Sequence, residues 1–476
     1  MKKLLINISL ISLLAAGCTK TIDKETPQNS IAAGDLANDV SSIRAALNGS
    51  YSAMLSANYM GLRYWLFADL YADNLSHVGT FPSFAQFATK NLLSDNVEVS
   101  NMWQQIYIAI NRANTTISAA TSNNSSTFTD KASVIAQARA LRAYHYFNLV
   151  RFWGGNENGY NKGNDANGKT WGVPLRLNPT LSETDADPIA RSGEAAVWNQ
   201  ILADLDPTAV IANLPTSNNR IITQRAAQAL RARVQLYREQ WAEAETLATS
   251  AINANPSLVN INFAAGGLYT NLYGAVAPTS EVIWSLPFDP TNQNSIAFFY
   301  LPSTLGGRNE ISATTTLRDA HEANDGRRII NYTSTSYPAG FPTSPAVNAK
   351  TLKYTRVSTG DDFYHHIRLA EVYLIRAEAR ARIGTDLAGA ASDLNVVRNR
   401  AGLPNTTAAT QNELLDAILA ERRIELAHEG HRFFDLRRYN RLDLLNMTTN
   451  SYRVRLPIPQ TELFRSGTIL EKNPGY

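Results

Sequence analysis

The chain contains a single cysteine in 476 residues. One cysteine can form neither an internal disulfide nor a cage of cysteine ligands around a metal ion. An excess of charge of one sign is also lacking, because 44 Lys and Arg residues are balanced by 41 Asp and Glu residues, for a net charge of +3. This balance argues against a nucleic-acid-binding protein, which needs a concentrated basic surface. With 44% hydrophobic and 18% charged residues, the composition predicts a large globular protein, neither disordered nor multi-spanning.

The cysteine lies at the end of a segment with the features of an export signal. Two lysines precede an apolar run over 4–16, which is shorter than the roughly 20 residues that a transmembrane helix needs. The sequence AAGC at 15–18 resembles a bacterial lipobox, in which the cysteine is acylated and becomes the new N-terminus. We therefore predict a lipoprotein signal peptide over 1–17, lipid attachment at Cys18 and a flexible tether over 18–35. An ordinary signal peptide with a chance cysteine is the alternative.

Beyond the tether, hydrophobic residues recur mostly every three or four positions, which is typical of amphipathic helices. We predict helices near 36–56, 97–121, 130–152, 193–213, 222–238, 241–254, 363–383, 387–400 and 411–429. Short strands or extended segments are expected at 282–286 and 454–458. The regions 74–96, 154–192 and 256–362 lack sustained periodicity, and loops of such length are usually functional or packed irregularly over a scaffold.

One helical pair has the residue spacing of a tetratricopeptide (TPR) unit. Its small residues, Ala232, Ala244 and Ala251, would let two antiparallel helices approach closely, and Pro256 would end the second helix. Ala379 and Ala391 repeat part of this spacing further along the chain. The predicted fold is therefore mainly α, a TPR-like helical-repeat scaffold with long irregular loops and a few short strands.

Two motifs suggest chemistry but lack its context. The sequence at 163–170 fits the P-loop pattern, yet no strand precedes it and Pro174 would end any helix after it. The sequence HEGH at 428–431 is one residue shorter than the HExxH motif of zinc proteases. We predict no catalytic residue, no metal site and no cofactor. A structural calcium in the Asn/Asp-rich stretch 156–168 stays open, although its spacing matches no EF-hand loop.

Several motifs of the C-terminal third follow the order found in the SusD/RagB family of outer-membrane nutrient-binding lipoproteins. They are RLAEVYLIRAEA at 368–379, LNVVR at 394–398, AGLP at 401–404, ILAERRIELAHEGHRFF at 418–434, DLRR at 435–438, LPIP at 456–459 and NPGY at 473–476. The sequence ARALRAY at 138–144 and the DGRR element at 325–328 add matches further upstream. The chain therefore resembles this family over nearly its whole length.

The charged residues in these motifs have a structural interpretation of their own. Because buried charges generally occur in satisfied networks, we expect them to connect helix ends as partly buried ion pairs. The residues concerned are Glu371, Glu378, Glu421, Arg422, Arg423, Glu425, Arg432, Asp435 and Arg437. The motifs are thus expected to identify the fold better than the ligand site.

The resemblance implies one globule made of an N-terminal SusD-like helical region with TPR units over 36–260 and a C-terminal SusD/RagB region over 261–476. It also implies a non-enzymatic lipoprotein, anchored in the outer membrane through Cys18 on the cell surface. Such a protein would bind an oligosaccharide or polysaccharide and deliver it to a SusC-like TonB-dependent transporter. Binding of peptides or another nutrient, and a TPR scaffold with no small ligand, are the alternatives.

A glycan site needs aromatic side chains on loops, because sugar rings stack on aromatic faces while polar side chains bind their hydroxyls. The long loops offer Phe81, Phe84, Phe87, Trp171, Tyr269, Tyr273, Phe298, Phe299 and Tyr300, with Arg308 and Asn309 as polar partners. Among these candidates we favour Tyr273, Phe299 and Tyr300.

Overall fold

The computed structural model describes residues 36–165, 167–259, 272–273, 280–332, 350–447 and 451–476. The predicted signal peptide, Cys18 and the tether therefore lie outside the described residues, and so does Tyr269. Within the described part, none of the helices combines the length and the apolar composition that a membrane-spanning segment requires.

The described residues form 16 α-helices and four short strands, joined by long connections that include 3-10 turns. The helices are α1 (Val40–Ser52), α2 (Arg63–Leu70), α3 (Pro82–Ala88), α4 (Val97–Ser122), α5 (Lys131–Trp153), α6 (Glu194–Ala203), α7 (Gln224–Tyr237), α8 (Trp241–Asn253), α9 (Ile296–Tyr300), α10 (Thr315–Asp319), α11 (Arg328–Asn331), α12 (Leu369–Ile383), α13 (Leu387–Arg400), α14 (Gln411–Glu425), α15 (Arg432–Arg438) and α16 (Gln460–Ser466). The strands are β1 (Leu75–His77), β2 (Val282–Leu286), β3 (Ile311–Ala313) and β4 (Tyr364–Arg368). This architecture confirms the predicted mainly α fold.

The two longest helices, α4 and α5, pack against each other and organise the N-terminal part of the core. The side chain of Asn96 caps α4 by accepting hydrogen bonds from the backbone N–H groups of Glu98 and Val99, and Glu98 complements the helix dipole. From Ala136 to Trp153, nearly every residue of α5 is buried, as expected for a helix surrounded by other elements.

The predicted TPR pairs are helix hairpins. Helix α7 packs on α8, α8 packs on α12, and α12 packs on α13. Ala232, Ala244, Ala251 and Ala379 are fully buried between these helices, where larger side chains would force the backbones apart. Gly384 ends α12 in the left-handed conformation that favours glycine, with a φ of +82°.

The predicted helices near 97–121, 130–152, 222–238, 241–254 and 387–400 are confirmed to within a few residues. Two others end earlier than predicted. Helix α6 stops at Ala203, shortly before Pro207, which lacks the N–H that a continuing helix would need. Helix α14 stops at Glu425, because His428 and Gly430 adopt left-handed backbone conformations. At the other end of the chain, the helix predicted over 36–56 is restricted to α1.

Strand pairing accounts for the other corrections. The helix predicted over 363–383 begins only at Leu369, because the preceding residues form the fully buried strand β4, which pairs antiparallel with the correctly predicted β2. The region 74–96 holds β1 and α3 where a loop was predicted, and β1 pairs antiparallel with the distant β3. The segment 454–458, predicted as a short strand or an extended segment, forms no strand with the described residues, but Arg455 has the extended backbone conformation.

The charged motif residues form a buried network centred on α14. Arg327 is fully buried and donates to Asp325, Glu421 and Glu425, with a distance of 2.9 Å between its Nη1 and Glu425 Oε2. Glu425 also pairs with Arg368 and Arg400. Burial alone would raise the pKa of Glu425, but the three surrounding arginines hold it well below its usual value. The network therefore connects α14 to the DGRR element, to the end of β4 and to α13.

Each remaining motif charge has at least one polar partner, and all but Arg437 pair with an opposite charge, as predicted. Pairs join Glu371 to Arg233, Glu378 to Arg438, Arg422 to Asp435, Arg423 to Asp73 and Arg432 to Asp73. Arg437 instead donates to the backbone carbonyls of Arg151, Gly154 and Asn156. These contacts hold the C-terminal motifs against the N-terminal helices.

Candidate functional site

Aromatic candidates from two distant parts of the sequence, around α3 and around α9, meet on one surface, which we call the Phe–Arg patch and define as Phe81, Phe84, Phe298, Phe299 and Arg308. The rings of Phe84 and Phe299 are stacked, with centroids 5.4 Å apart. The Phe81 ring lies 5.5 Å from Phe84 and 6.1 Å from Phe299. The guanidinium carbon of Arg308 lies 4.0 Å from the centroid of Phe81, in a cation–π contact. The structure thus combines in one cluster five of the residues that the sequence nominated separately.

Local backbone geometry explains why these side chains converge. Phe81 precedes α3, where Pro82 occupies the first helical position. After α9 the chain folds back, and the Arg308 N–H donates to the Phe298 carbonyl over 2.7 Å. Gly307 makes this return possible, because a Cβ atom there would lie 2.1 Å from the carbonyl oxygen of Leu301.

Glu310, a residue that the sequence analysis did not select, holds the two halves of the patch together. Its buried carboxylate accepts hydrogen bonds from the backbone N–H groups of Thr80 and Phe81, over 2.8 and 3.2 Å. It also lies 3.1 Å from His77 Nε2 and accepts from Arg308 Nε over 3.0 Å. Burial alone would raise the pKa of Glu310, but these hydrogen bonds outweigh it and lower the pKa. The ionised carboxylate therefore fixes Arg308 above the Phe81 ring.

The side chains of the patch range from fully buried to partly exposed. Phe84 is buried, Phe81 and Phe299 are half-buried, and Phe298 is 40% exposed. The side chain of Arg308 is 41% exposed, so part of its guanidinium faces solvent. Chemically, the surface offers an apolar aromatic ring beside a cation with N–H donors. Such a combination can bind a ligand that has both C–H faces and hydroxyl groups.

Asn309, the second polar candidate, does not join the patch, because its side chain contacts Lys350 of a neighbouring segment. Its side-chain oxygen accepts a hydrogen bond from Lys350 Nζ over 2.5 Å, and this ammonium group also donates to the Ile311 carbonyl. Burial lowers the pKa of Lys350 to about 8. Asn309 therefore serves to hold the chain beside the patch through its bond to Lys350.

The other described aromatic candidates lie in the core. Tyr273 and Tyr300 are fully buried; the Tyr273 hydroxyl donates to Glu429 over 2.9 Å. Phe87 is fully buried and stacks on a neighbouring phenylalanine of α2. Trp171 is 5% exposed, and its Nε1–H donates to an Asp165 carboxylate oxygen over 2.6 Å. In this structure these rings offer no open face to a ligand, and Phe299 alone of the three favoured residues belongs to the patch.

The two motifs that suggested chemistry are structural in this fold. In the P-loop-like segment, Asp165 accepts N–H bonds from Asn167 and Lys169, and the loop turns back on itself with neither a strand before it nor a helix after it. In the HEGH segment, Nε2 of His428 donates to the Asn331 carbonyl, 2.9 Å away. Its Nδ1 accepts from the Tyr300 hydroxyl. Burial lowers the pKa of His428 to about 3, so this ring is neutral at physiological pH.

Within the described ranges, no group of three or more His, Cys, Asp or Glu side chains is arranged to hold a metal ion. The Asn/Asp-rich stretch in which a structural calcium was left open contains Asp165, whose oxygens already accept the hydrogen bonds described above.

Comparison with known proteins places this architecture in a class of mainly α, SusD-like proteins. Residues 330–449 match the SusD family model, and residues 31–236 match a model described as "Starch-binding associating with outer membrane". Together the two matches span more than half of the chain. The chain belongs to the SusD/RagB family.

Individual relatives agree with this assignment along the whole chain. A SusD-like protein of Formosa agariphila is 27% identical over 530 residues, which cover 100% of both chains. A crystal structure of a putative sugar binding protein from Bacteroides vulgatus is 26% identical, with a TM-score of 0.75 over 92% of this chain and 98% of that one. A structure described as a laminarin binding SusD-like protein has a TM-score of 0.73 at 23% identity, over 92% and 99% of the two chains. The last comparison shows a shared fold.

Proposed function

We propose that this protein binds an oligosaccharide or polysaccharide nutrient at the Phe–Arg patch and delivers it to a SusC-like TonB-dependent transporter of the outer membrane, without catalysis. The observation that carries this proposal is the convergence of two segments, distant in sequence, on one partly exposed surface built from Phe298, Phe299 and Arg308 beside Phe81. The starch-binding family model and the laminarin-binding neighbour support carbohydrate as the ligand class.

Ligand contact would centre on Phe298 and Arg308. One face of the Phe81 ring is covered by Arg308, and Phe84 is buried, so the accessible aromatic surface belongs mainly to Phe298 and the edge of the half-buried Phe299. A sugar ring stacked on Phe298 would bring hydroxyl oxygens within reach of the Arg308 N–H groups. Since a hydrogen bond to a charged group contributes about 1.5–3 kcal/mol, one stacking contact and one such bond support modest affinity per sugar unit.

We further propose that the chain is anchored on the cell surface by acylation of Cys18, with 18–35 as the tether to a globule made of 36–260 and 261–476. A polar tether of this length spans roughly 20–25 Å on average. This distance would let the patch reach a transporter in the same membrane. Labelling of cells with a radioactive fatty acid tests the anchor: the unmodified chain should incorporate the label, and the Cys18→Ala variant should not. Protease digestion of intact cells tests whether the chain is exposed on the cell surface.

Calorimetry of the soluble chain without residues 1–18 tests the ligand. Titration with laminarin, starch and a peptide mixture should give heat with at least one glycan. Replacement Phe298→Ala should weaken that binding about tenfold, because it removes the exposed stacking surface. The matched control is Phe464→Ala on α16, which removes a phenylalanine that is 76% exposed but far from the patch in sequence.

The outcomes separate the candidate functions. Binding of peptides alone would replace glycan by peptide as the ligand class. Full glycan affinity in Phe298→Ala would show that the patch is not the site. If no small ligand binds, but the chain still co-purifies with a barrel transporter, the scaffold alternative is correct. Release of free sugar during prolonged incubation would contradict a function without catalysis.

A further inference from the structure

A second concave surface lies between α4, the segment 174–189 and α16. We call it the α4–α16 groove. Its volume is about 580 Å³, which lies within the range of small-molecule sites. It shares no residue with the Phe–Arg patch, so the proposed glycan site does not account for it.

The floor of the groove is aromatic and apolar. The rings of Trp103 and Tyr107 lie side by side, with centroids 4.9 Å apart. Ile108, Pro188 and Ile189 form its walls. Ile108 is one of the exposed large hydrophobic residues of the protein, and an aliphatic side chain left open to water beside two aromatic rings favours an apolar ligand.

Three of the polar groups that line the groove are used to hold its walls. The Tyr107 hydroxyl donates to the Pro174 carbonyl over 2.9 Å. The Asn114 amide donates to the Arg176 carbonyl over 2.9 Å, and Asn111 accepts from the Thr180 N–H over 2.8 Å. These three groups therefore have little hydrogen-bonding capacity left for a ligand, and the bonds still open come mainly from charged residues at the rim.

The charged residues around the groove are mostly positive. Arg112 and Arg176 donate to backbone carbonyls, which leaves their positive charges without a carboxylate partner in those bonds. Arg465 faces Glu462, with 3.6 Å between nitrogen and oxygen, and its side chain is mostly exposed. The lining itself carries three arginines and one glutamate and is therefore net positive, while Asp185 and Asp187 flank the lining residue Ala186 beside Arg176.

We infer that the α4–α16 groove binds a ligand with a flat apolar body and a single anionic group, of the class of aromatic carboxylates. The ring would lie against Trp103, Tyr107 and Ile108, and the carboxylate would face the arginine rim. This activity is separate from glycan capture and does not depend on it.

Titration of the soluble chain with trans-cinnamate, followed by calorimetry, tests this inference. A ligand of this size should bind with a Kd of about 1 mM or tighter. Cinnamyl alcohol, which keeps the ring but lacks the charge, should bind about fivefold more weakly. The absence of cinnamate binding at about 10 mM, or equal affinity for the alcohol, would overturn the inference.

Substitutions locate the bound probe. Ile108→Asp should weaken cinnamate binding at least about tenfold, because it places a like charge against the ligand. Leu444→Asp, which changes an equally exposed aliphatic residue elsewhere, is the control and should leave the affinity unchanged. Arg465→Gln should weaken binding about threefold, since the side chain is exposed to solvent.

Two results would assign the probe to another place. The inference is wrong if Ile108→Asp binds cinnamate like the unmodified chain while retaining its melting temperature. It is also wrong if Phe298→Ala abolishes cinnamate binding, because the probe would then occupy the Phe–Arg patch. Should Ile108→Asp fail to fold, Arg465→Gln gives the same comparison, and an unchanged affinity in that variant contradicts the inference.

Discussion

The buried network around α14 and the Phe–Arg patch both use arginines, but in opposite ways. Arg327 has no exposed side-chain surface and holds three carboxylates. Arg308 is partly exposed, holds one carboxylate and covers an aromatic ring. The longest family motif of the sequence lies in the first environment, while the patch lies at α3, at α9 and in the segment after α9, where no family motif occurs. In this chain the family motifs therefore identify the scaffold, and the candidate binding residues lie outside them.

The largest expected effect comes from Glu425→Ala. Removal of this carboxylate leaves the buried Arg327, Arg368 and Arg400 without their shared partner, which should lower the free energy of unfolding by about 3–5 kcal/mol. Urea denaturation measures the loss. The control on the same helix is Asp416→Ala, whose side chain is 73% exposed and should matter by less than about 0.5 kcal/mol. Equal losses of unfolding free energy in the two variants would show that the buried network stabilises the fold no more than a surface carboxylate does.

Next in size is Gly430→Ala, within the same motif. Gly430 has a φ of +77°, and an added Cβ would lie 2.5 Å from the Cα of Trp65. The collision involves backbone and cannot be relieved by a rotamer change, so we expect a loss of about 2–4 kcal/mol in unfolding free energy. Gly163→Ala is the matched control, because its φ of +74° is similar but no atom lies within 4 Å of the added Cβ. It should cost only about 1 kcal/mol.

The free energy of unfolding should depend on pH through two buried groups, His145 and Asp69, whose pKa values are shifted in opposite directions. Burial lowers the pKa of His145 to about 3. Between about pH 6.5 and 3 the unfolded chain therefore binds a proton there that the folded chain does not, and acidification destabilises the fold by about 1.4 kcal/mol per pH unit. Burial raises the pKa of Asp69 to about 7. Between about pH 7 and 4 the folded chain holds that proton instead, so acidification stabilises the fold by a similar amount.

Urea denaturation at pH 6.5, 5.5 and 4.5 checks both slopes against the unmodified chain, at values chosen around these pKa shifts. The stability deficit of His145→Gln should shrink as the pH falls, since the variant no longer carries the destabilising group. The deficit of Asp69→Asn should grow over the same range. Parallel curves of unfolding free energy against pH for all three chains would contradict the pKa shifts assigned to His145 and Asp69.

The smallest expected effect tests the patch itself. Arg308→Gln should weaken glycan binding about fivefold and change the free energy of unfolding by less than about 0.5 kcal/mol, because the side chain is partly exposed. Arg318→Gln is the matched control: Arg318 is likewise exposed, pairs with Asp319 and lies 5.6 Å from the ring of Tyr332. It should leave glycan affinity unchanged. A loss of stability without a loss of affinity in Arg308→Gln would assign this arginine to the scaffold.

Sequence reasoning predicted the long helices well because their signals are local. The periodic apolar residues of α5 act within one or two helical turns, and Ala232 and Ala244 lie in consecutive helices of a single hairpin. It failed for β4, whose residues pair with a strand far away in sequence. It also did not indicate that Tyr273 and Tyr300 are buried, because exposed and buried tyrosines look alike in a segment without periodicity.

Glu310 is the residue of the candidate site that sequence reasoning missed. A weak signal existed, since Arg308 and Glu310 carry opposite charges and are only two residues apart in the sequence. Nothing local, however, indicates that this carboxylate also accepts the N–H groups of Thr80 and Phe81. That information resides in the pairing of β1 with β3.

The sequence by itself determined the family, the mainly helical architecture and the scaffold role of the charged motifs, since each depends on residue spacing that survives without coordinates. Only the tertiary structure decided which loop aromatics reach the surface. Two segments more than 200 residues apart form the Phe–Arg patch because β1 and β3 pair and Glu310 bridges them. Contacts over such separations leave no periodic trace in a single sequence, so the location of the candidate site had to come from the fold.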